Sequence, residues 1–148
     1  MTNVKIIMTE NPTCCAPETS LQEVAKLMVE KDCGCIPVVD ENSKPIGMIT
    51  DRDITVRTVA EGKNPLDLTA GKVMTSDVYT VTPETSIEEC CRLMEQKQVR
   101  RIAVVDSTGT CCGVVAQADI AHYASRKQTA EMVQLVSKAP VISQSATI

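Results

Sequence analysis

The stretch Gly47-Met48-Ile49-Thr50-Asp51-Arg52-Asp53-Ile54 places a hydroxyl and a carboxylate three positions apart, where a strand-like run turns into a helix-like one. Such a junction suits an anion, because glycine permits close backbone approach and the first amides of a helix have no partner within it. Asp53 cannot favour a phosphate there, but its carboxylate can accept two hydrogen bonds from adjacent ribose hydroxyls. Thr50-x-x-Asp53 is equally a capping box, which would serve only to start the helix. The stretch recurs 66 positions later as Gly113-Val114-Val115-Ala116-Gln117-Ala118-Asp119, with glycine and aspartate kept and alanine in place of threonine. The segment after Asp119 still reads as helical, so the threonine is dispensable as a cap.

Two other sets of residues could do chemistry. Arg100 and Arg101 could make forked, charge-assisted bonds to a phosphate, or could sit on a solvated surface as most adjacent arginines do. Eight cysteines occur as Cys14-Cys15, Cys33-Gly34-Cys35, Cys90-Cys91 and Cys111-Cys112. No pair has the two-residue separation of a zinc knuckle, and no export signal is present, so free thiols are the expectation. At the 66-residue offset Cys90 and Cys91 match Val24 and Ala25, Cys112 matches Ile46, Cys15 matches Val81 and Cys33 matches Val99. They substitute for small apolar residues and are read as packing groups. Cys33 and Cys35 flank a glycine and could instead sense oxidation or hold a soft metal. His122 is the only histidine and is expected on the solvent side of its helix. No catalytic residue and no metal site is assigned.

The elements that must position these groups come twice. Residues 8 to 54 overlay residues 74 to 120 without a gap, as in Pro17-Glu18-Thr19-Ser20 against Pro83-Glu84-Thr85-Ser86 and Val38-Val39-Asp40 against Val104-Val105-Asp106. Ser20 with Glu23, and Ser86 with Glu89, read as capping boxes that start a helix. Leu21, Val24, Ala25 and Met28, and Ile87, Cys90, Cys91 and Met94, form helical stripes expected to share a common core. Apolar runs from Ile36 to Val39 and Ile102 to Val105, each ended by an aspartate and a polar turn, predict hairpins. The unit is strand, helix, strand, strand, helix, with its first strand just ahead of Pro17 or Pro83. Glu61 to Lys72 links the copies. The fold class is therefore α/β (α+β), two βαββα repeats packed about a pseudo-twofold axis, because neither copy alone has layers enough to cover its sheet. Boundaries fall at 7–64 and 73–125, with a C-terminal helix over 126–142 and a flexible tail at 143–148. Met132, Leu135 and Val136 on that helix either close the core or face another subunit.

Composition narrows the function. The chain has 148 residues, 43% of them apolar, with a net charge of -4, no Phe or Trp, and only Tyr79 and Tyr123. A nucleic-acid partner is not expected without a basic surface or stacking platforms. No 18 apolar residues come in succession, so no membrane span is expected and the chain is read as cytoplasmic.

Two copies of a unit ending in Gly-h-h-Thr-x-x-Asp resemble a tandem CBS-domain pair, or Bateman module, over residues 7 to about 125. The run Thr50 to Ile54 into Val59-Ala60-Glu61-Gly62, together with Val99-Arg100-Arg101, is similar to small stand-alone bacterial CBS-domain proteins. The resemblance implies a regulatory, signal-transducing module, not an enzyme. It implies AMP, ADP, ATP, S-adenosylmethionine or NAD as ligand in clefts between the repeats, and no obligatory cofactor. By the same resemblance Asp53 holds the ribose and Thr50 the phosphate, with Met48 and Arg52 beside them. The opposite repeat supplies Val78, Tyr79, Thr80, Val99 and Ala103 to the base pocket, and Arg100 and Arg101 near the phosphates. A second, weaker cleft pairs Asp119 and Ala116 with Pro12, Thr13, Cys33, Gly34 and Pro37. It lacks the threonine, and Gly34 and Cys35 at the positions of the arginine pair offer it no cation. Homodimerisation by stacking of pairs and an unidentified regulated protein are the implied partners. The competing readings are a thiol-based redox or metal-responsive protein using Cys33 and Cys35, and a ligand-free interaction adaptor.

Overall fold

The computed structural model describes residues 2–123 and 126–138, so residues 139–142 of the expected C-terminal helix and the tail at 143–148 lie outside the described residues. In chain order the elements are β1 (Thr9–Glu10), α1 (Leu21–Lys31), β2 (Cys35–Val39), β3 (Pro45–Thr50), α2 (Asp51–Arg57), α3 (Ala70–Val73), β4 (Thr80–Val81), α4 (Ile87–Lys97), β5 (Arg101–Val105), β6 (Cys111–Ala116), α5 (Gln117–Ala121) and α6 (Arg126–Ser137). Single 3-10 turns lie at Val4–Ile6, Val59–Glu61 and Pro65–Asp67. No helix among the described residues is long and apolar enough to cross a membrane.

Local chemistry starts the main helices where the sequence predicts. The hydroxyls of Ser20 and Ser86 accept from the amides of Glu23 and Glu89 at 3.2 and 3.1 Å, satisfying a first-turn donor in α1 and α4. Both helices end where Asp32 and Gln98, again 66 positions apart, turn left-handed at φ 51° and 53°. The hairpins β2–β3 and β5–β6 are antiparallel with matching irregularities, between Val38 and Val39 in one and Val104 and Val105 in the other.

The sheets hold an element that the repeat unit did not include. In the second sheet the strand order is β1-β6-β5-β4, with β4 parallel to β5 and the remaining pairs antiparallel. Its outer strand β1 comes from the other repeat, Thr9 facing Val114. The first sheet repeats the arrangement, with Thr75 bridged to Met48 beyond β3 and Cys15 bridged in parallel to Val38. The exchange continues at the helix starts, where Asn3 bridges Ser86 and Thr69 bridges Ser20. Each repeat thus places its leading residues on its neighbour, and the pairings interchange under the 66-residue shift as a pseudo-twofold axis requires.

This exchange divides the interior. The two helical stripes do not share a common core: Leu21, Val24 and Met28 pack with Ile36, Val38, Ile49, Ala70 and Val73, while Ile87, Cys90, Cys91 and Met94 pack with Val4, Ile7, Ile102, Val104, Val115 and Ile120. Val4 and Ile7 fill the second core, and Ala70, in the stretch expected as a linker, completes the first together with Val73. Each wholly buried aliphatic side chain of this kind stabilises by about 1.5–3 kcal/mol. Helix α6 settles its own alternatives in part, because Met132 and Val136 are buried in the second core while Leu135 stays 39% exposed. It also accounts for one stripe residue that departs from expectation. Cys91 on α4 is buried in the core that α6 closes, whereas its counterpart Ala25 on α1 is exposed.

The glycines of the repeated motif serve the exchange. A Cβ on Gly47 would overlap Met74 Sδ and lie 3.1 Å from the Thr75 carbonyl, and one on Gly113 would lie 2.7 Å from Met8 Sδ and 3.2 Å from the Thr9 carbonyl. The close approach they permit is that of the exchanged segment, not of an anion. Gly47→Ala should therefore overpack the crossing and cost about 1–3 kcal/mol, measured as a lower urea midpoint at unchanged slope; an unchanged midpoint would mean that Met74 yields without cost.

Candidate functional site

Strand β3 runs straight into α2, and Thr50 is the residue between them. Its hydroxyl accepts from the Asp53 amide at 3.0 Å, and Asp53 Oδ2 accepts from the Thr50 amide at 3.0 Å, so the capping box is formed in both directions. Asp53 Oδ1 faces Arg57 Nε at 3.9 Å, and the Arg57 guanidinium donates to the carbonyls of Val73 and Met74 at 2.9 and 2.8 Å. Arg57 thereby ties the carboxylate to the end of α3, a link that the motif alone did not signal. An ionised carboxylate has about four lone-pair positions. One cap bond and one long ionic contact leave Asp53 able to accept more, and its side chain keeps 14% of its surface exposed. Because the Thr50 oxygen accepts within the cap, its hydroxyl hydrogen is available to an acceptor in the cleft.

The second copy isolates what the threonine adds. Asp119 Oδ2 accepts from the Ala116 amide at 2.8 Å and α5 forms without a hydroxyl cap. Both short helices are also started by the opposite strand end, the Asp51 amide donating to Gly34 O at 3.0 Å and the Gln117 amide to Arg100 O at 2.8 Å. The position matching Arg57 is Tyr123, which is exposed, so that position gives Asp119 no corresponding brace.

Around Thr50 and Asp53 lies a cleft of about 470 Å³ between the repeats. Of the residues expected there, Met48, Thr50, Arg52 and Asp53 come together with Val78, Tyr79, Val99, Arg100 and Arg101. Thr80 and Ala103 do not line it. They face each other in the β4–β5 register, Ala103 fully buried and Thr80 exposed elsewhere. Cys35, Asp51, Thr75, Asp77 and Gln98 line the cleft without having been expected. The repeat held no signal for Thr75 or Cys35, since their matches, Thr9 and Arg101, were not expected in the second cleft either. The Tyr79 ring is held by Lys97, whose Nζ lies 5.3 Å from its centroid in a cation–π contact.

A second cleft of about 490 Å³ brings together Pro12, Thr13, Cys33, Gly34, Ala116 and Asp119 as expected, whereas Pro37 is buried in β2 opposite Met48. The expectation that it lacks a cation fails, because Lys31 and Arg101 both line it. Arg101 and Cys35, equivalent positions in the two repeats, line both clefts and so stand at the pseudo-twofold axis. Acids and bases balance in each: Asp51, Asp53 and Asp77 against Arg52, Arg100 and Arg101 in the first, Asp32 and Asp119 against Lys31 and Arg101 in the second. Neither cleft is simply cationic, so an anion held in one must be held by placed groups.

The thiols mostly pack. Cys15, Cys90 and Cys91 are buried in the cores, and Cys33 and Cys112 lie against them. All eight cysteines are free, and no three His, Cys, Asp or Glu side chains among the described residues converge as a metal set. The Cys35 thiol donates to Met48 Sδ at 3.9 Å, and burial pushes it up to about 11, with nearby Arg101 acting in the opposite direction. Burial likewise pushes Cys15 up to about 11 and Cys90 and Cys91 up to about 12. A thiol whose folded value exceeds its unfolded one gives up its proton more readily in the unfolded chain. The stability tied to it is complete below about pH 8.5 and is lost as pH rises toward the folded value. Unfolding free energy should fall between pH 9 and 11, and Cys90→Ala should shallow that fall in denaturant titrations; equal slopes would remove Cys90 as a contributor.

A family model described as CBS domain matches residues 4–57 and 70–126. Hypoxic response protein 1 of Mycobacterium tuberculosis is 34% identical over 136 residues, 92% of this chain and 94% of that protein. The crystal structure of hypoxic response protein I with two coordinated zinc ions aligns with 84% of this chain and all of that one at a TM-score of 0.74. CBSX2 in complex with AMP is 26% identical with a TM-score of 0.67, over 82% of this chain and 95% of that one. The CBS domain pair of protein MJ0100, in complex with 5'-methylthioadenosine and S-adenosyl-L-methionine, is 28% identical with a TM-score of 0.73, over 82% and 98%.

Proposed function

The chain belongs to the CBS-domain family as a tandem pair, and from that premise we propose that it is a regulatory sensor that takes an adenine nucleotide in the cleft headed by Thr50 and Asp53. The observation that carries this reading is the meeting of Thr50 and Asp53 from one repeat with Tyr79, Val99, Arg100 and Arg101 from the other around one opening. A volume of about 470 Å³ is within the range of small-molecule sites.

The chemistry divides along the cleft. Asp53 retains acceptor positions for a ribose diol, held at a fixed angle by the cap bond to Thr50 and by Arg57. The Thr50 hydroxyl and the Arg100 and Arg101 guanidinium groups take the phosphate, and Val78, Val99 and Tyr79 offer apolar and aromatic surface to the base. Similar proteins hold AMP in one case, and 5'-methylthioadenosine and S-adenosyl-L-methionine in another, all of which share an adenosine. Adenosine with a phosphate is the ligand that suits the arginines here, which leaves AMP, ADP, ATP and NAD as candidates. The cleft of Asp119 is secondary, since Ala116 has no hydroxyl to offer. In this reading the module acts in the cytoplasm without catalysing a reaction, pairs with a second copy, and reports ligand to a regulated protein.

Thermal denaturation with each candidate tests the proposal. A ligand at 100 times its dissociation constant should stabilise the fold by about 2.7 kcal/mol. Asp53→Asn keeps an oxygen for the Thr50 amide but replaces a ribose acceptor with a donor, and should abolish that gain while leaving the ligand-free melting temperature close to the parent's. If AMP, ADP, ATP, NAD and S-adenosylmethionine all leave the melting temperature unchanged, the reading fails.

A further inference from the structure

One cation stands where both clefts can use it. Arg101 opens β5 opposite Ala116, the residue that heads the second cleft, and it also lines the first beside Thr50 and Asp53. Its counterpart under the 66-residue shift is Cys35, which pairs with Thr50 in the β2–β3 ladder and likewise lines both openings. Two equivalent cations at the axis would give each cleft one, but the chain has an arginine and a thiol there. Arg101 is exposed, and no hydrogen bond or ion pair among the described residues holds its guanidinium. Its charge is felt at the Cys35 thiol, against the effect of burial. The other cations are private to one opening: Arg52 and Arg100 line only the first cleft, and Lys31 only the second.

Resting on the nucleotide reading above, we propose that Arg101 is one phosphate-binding cation shared by the two clefts, so that a nucleotide in the first disables the second for another. A guanidinium drawn into forked, charge-assisted bonds with one phosphate presents that fork to no other. Once it is engaged at the first cleft, the second keeps Lys31 against Asp32 and Asp119, an excess of negative charge that opposes a phosphate. Engaged at the second, it leaves the first with Arg52 and Arg100 against Asp51, Asp53 and Asp77. The first cleft keeps two cations in that contest and the second only one, and Thr50 adds a hydroxyl that Ala116 lacks, so the first cleft fills first. The hydroxyl helps to set the order of filling. Arg101 sets the penalty for filling both.

Equilibrium dialysis of AMP against the full chain, carried through both binding steps, is the test. Loss of a charge-assisted contact should make the second step about 10–100-fold weaker than the first. Arg101→Ala should weaken the first step by a similar factor and leave the second unchanged, because in the parent Arg101 is already engaged when the second AMP arrives. An arginine that served each cleft independently would instead weaken both steps when removed. Cys35→Arg supplies the missing counterpart and should tighten the second step toward the first, whereas Ala116→Thr, which adds only the hydroxyl, should leave the second step well behind. The Arg101→Ala arm stands whether or not the half-buried position accepts the larger side chain of Cys35→Arg. Two equal steps in the parent or in Ala116→Thr, or weakening of both steps or of neither in Arg101→Ala, would overturn the proposal and leave the nucleotide reading standing. So would a Cys35→Arg protein that melts as the parent does and keeps the weak second step. AMP held at neither cleft would overturn it together with AMP as the ligand.

Discussion

The backbone pair between Met48 and Thr75, closed by bonds of 2.9 and 2.8 Å, is the constraint on which the rest of this molecule depends, together with its counterpart between Val114 and Thr9. These pairs fasten each hairpin to the leading segment of the other repeat. They are why Gly47 and Gly113 lack side chains, why Ala70 and Val73 are buried under the first sheet, and why Val4 and Ile7 are buried under the second. They also set the two clefts. Thr75 lines the first and Thr9 the second, so the segment that completes a sheet forms a wall of the opening beside it.

The same economy governs Asp53. Its carboxylate starts α2, meets Arg57, and still faces the cleft, while Arg57 reaches the end of α3, which belongs to the exchanged segment. The group best suited to a ribose is thus anchored through one arginine to the element that joins the repeats. Asp119 starts its helix and faces its own cleft in the same way, but Tyr123 stands where the arginine would be. The asymmetry between the clefts lies less in charge than in this bracing and in the hydroxyl of Thr50.

Much of this was legible in the residues. The constant offset, the serine caps, the hairpins ended by aspartate and the apolar stripes all rest on local rules, and these elements formed where those rules placed them. The exchanged strands were not legible, because two residues such as Thr9 and Glu10 are too few to carry an alternation, and their partners lie about 100 positions away. Within the cleft, side chains at the strand-to-helix junction were readable from the motif, whereas Thr80 and Ala103 depended on which face of β4 and β5 turns inward. That is set by register with a neighbouring strand. Lys31 was missed for a similar reason: it closes α1, its counterpart Lys97 lies against Tyr79 instead, and only packing brings it beside Asp119.

The exchange has a consequence for how the chain is made. The first sheet closes once Thr75 has been synthesised, so the first repeat can complete its core early. Val4, Ile7 and β1 belong to a sheet whose receiving strand ends only at Ala116. At ribosomal rates of about 5–20 residues per second, those leading residues wait on the order of 5–20 s, apolar and unpaired, for their partner. The leading segment of the first repeat is made before its sheet and is among the last parts to find its place.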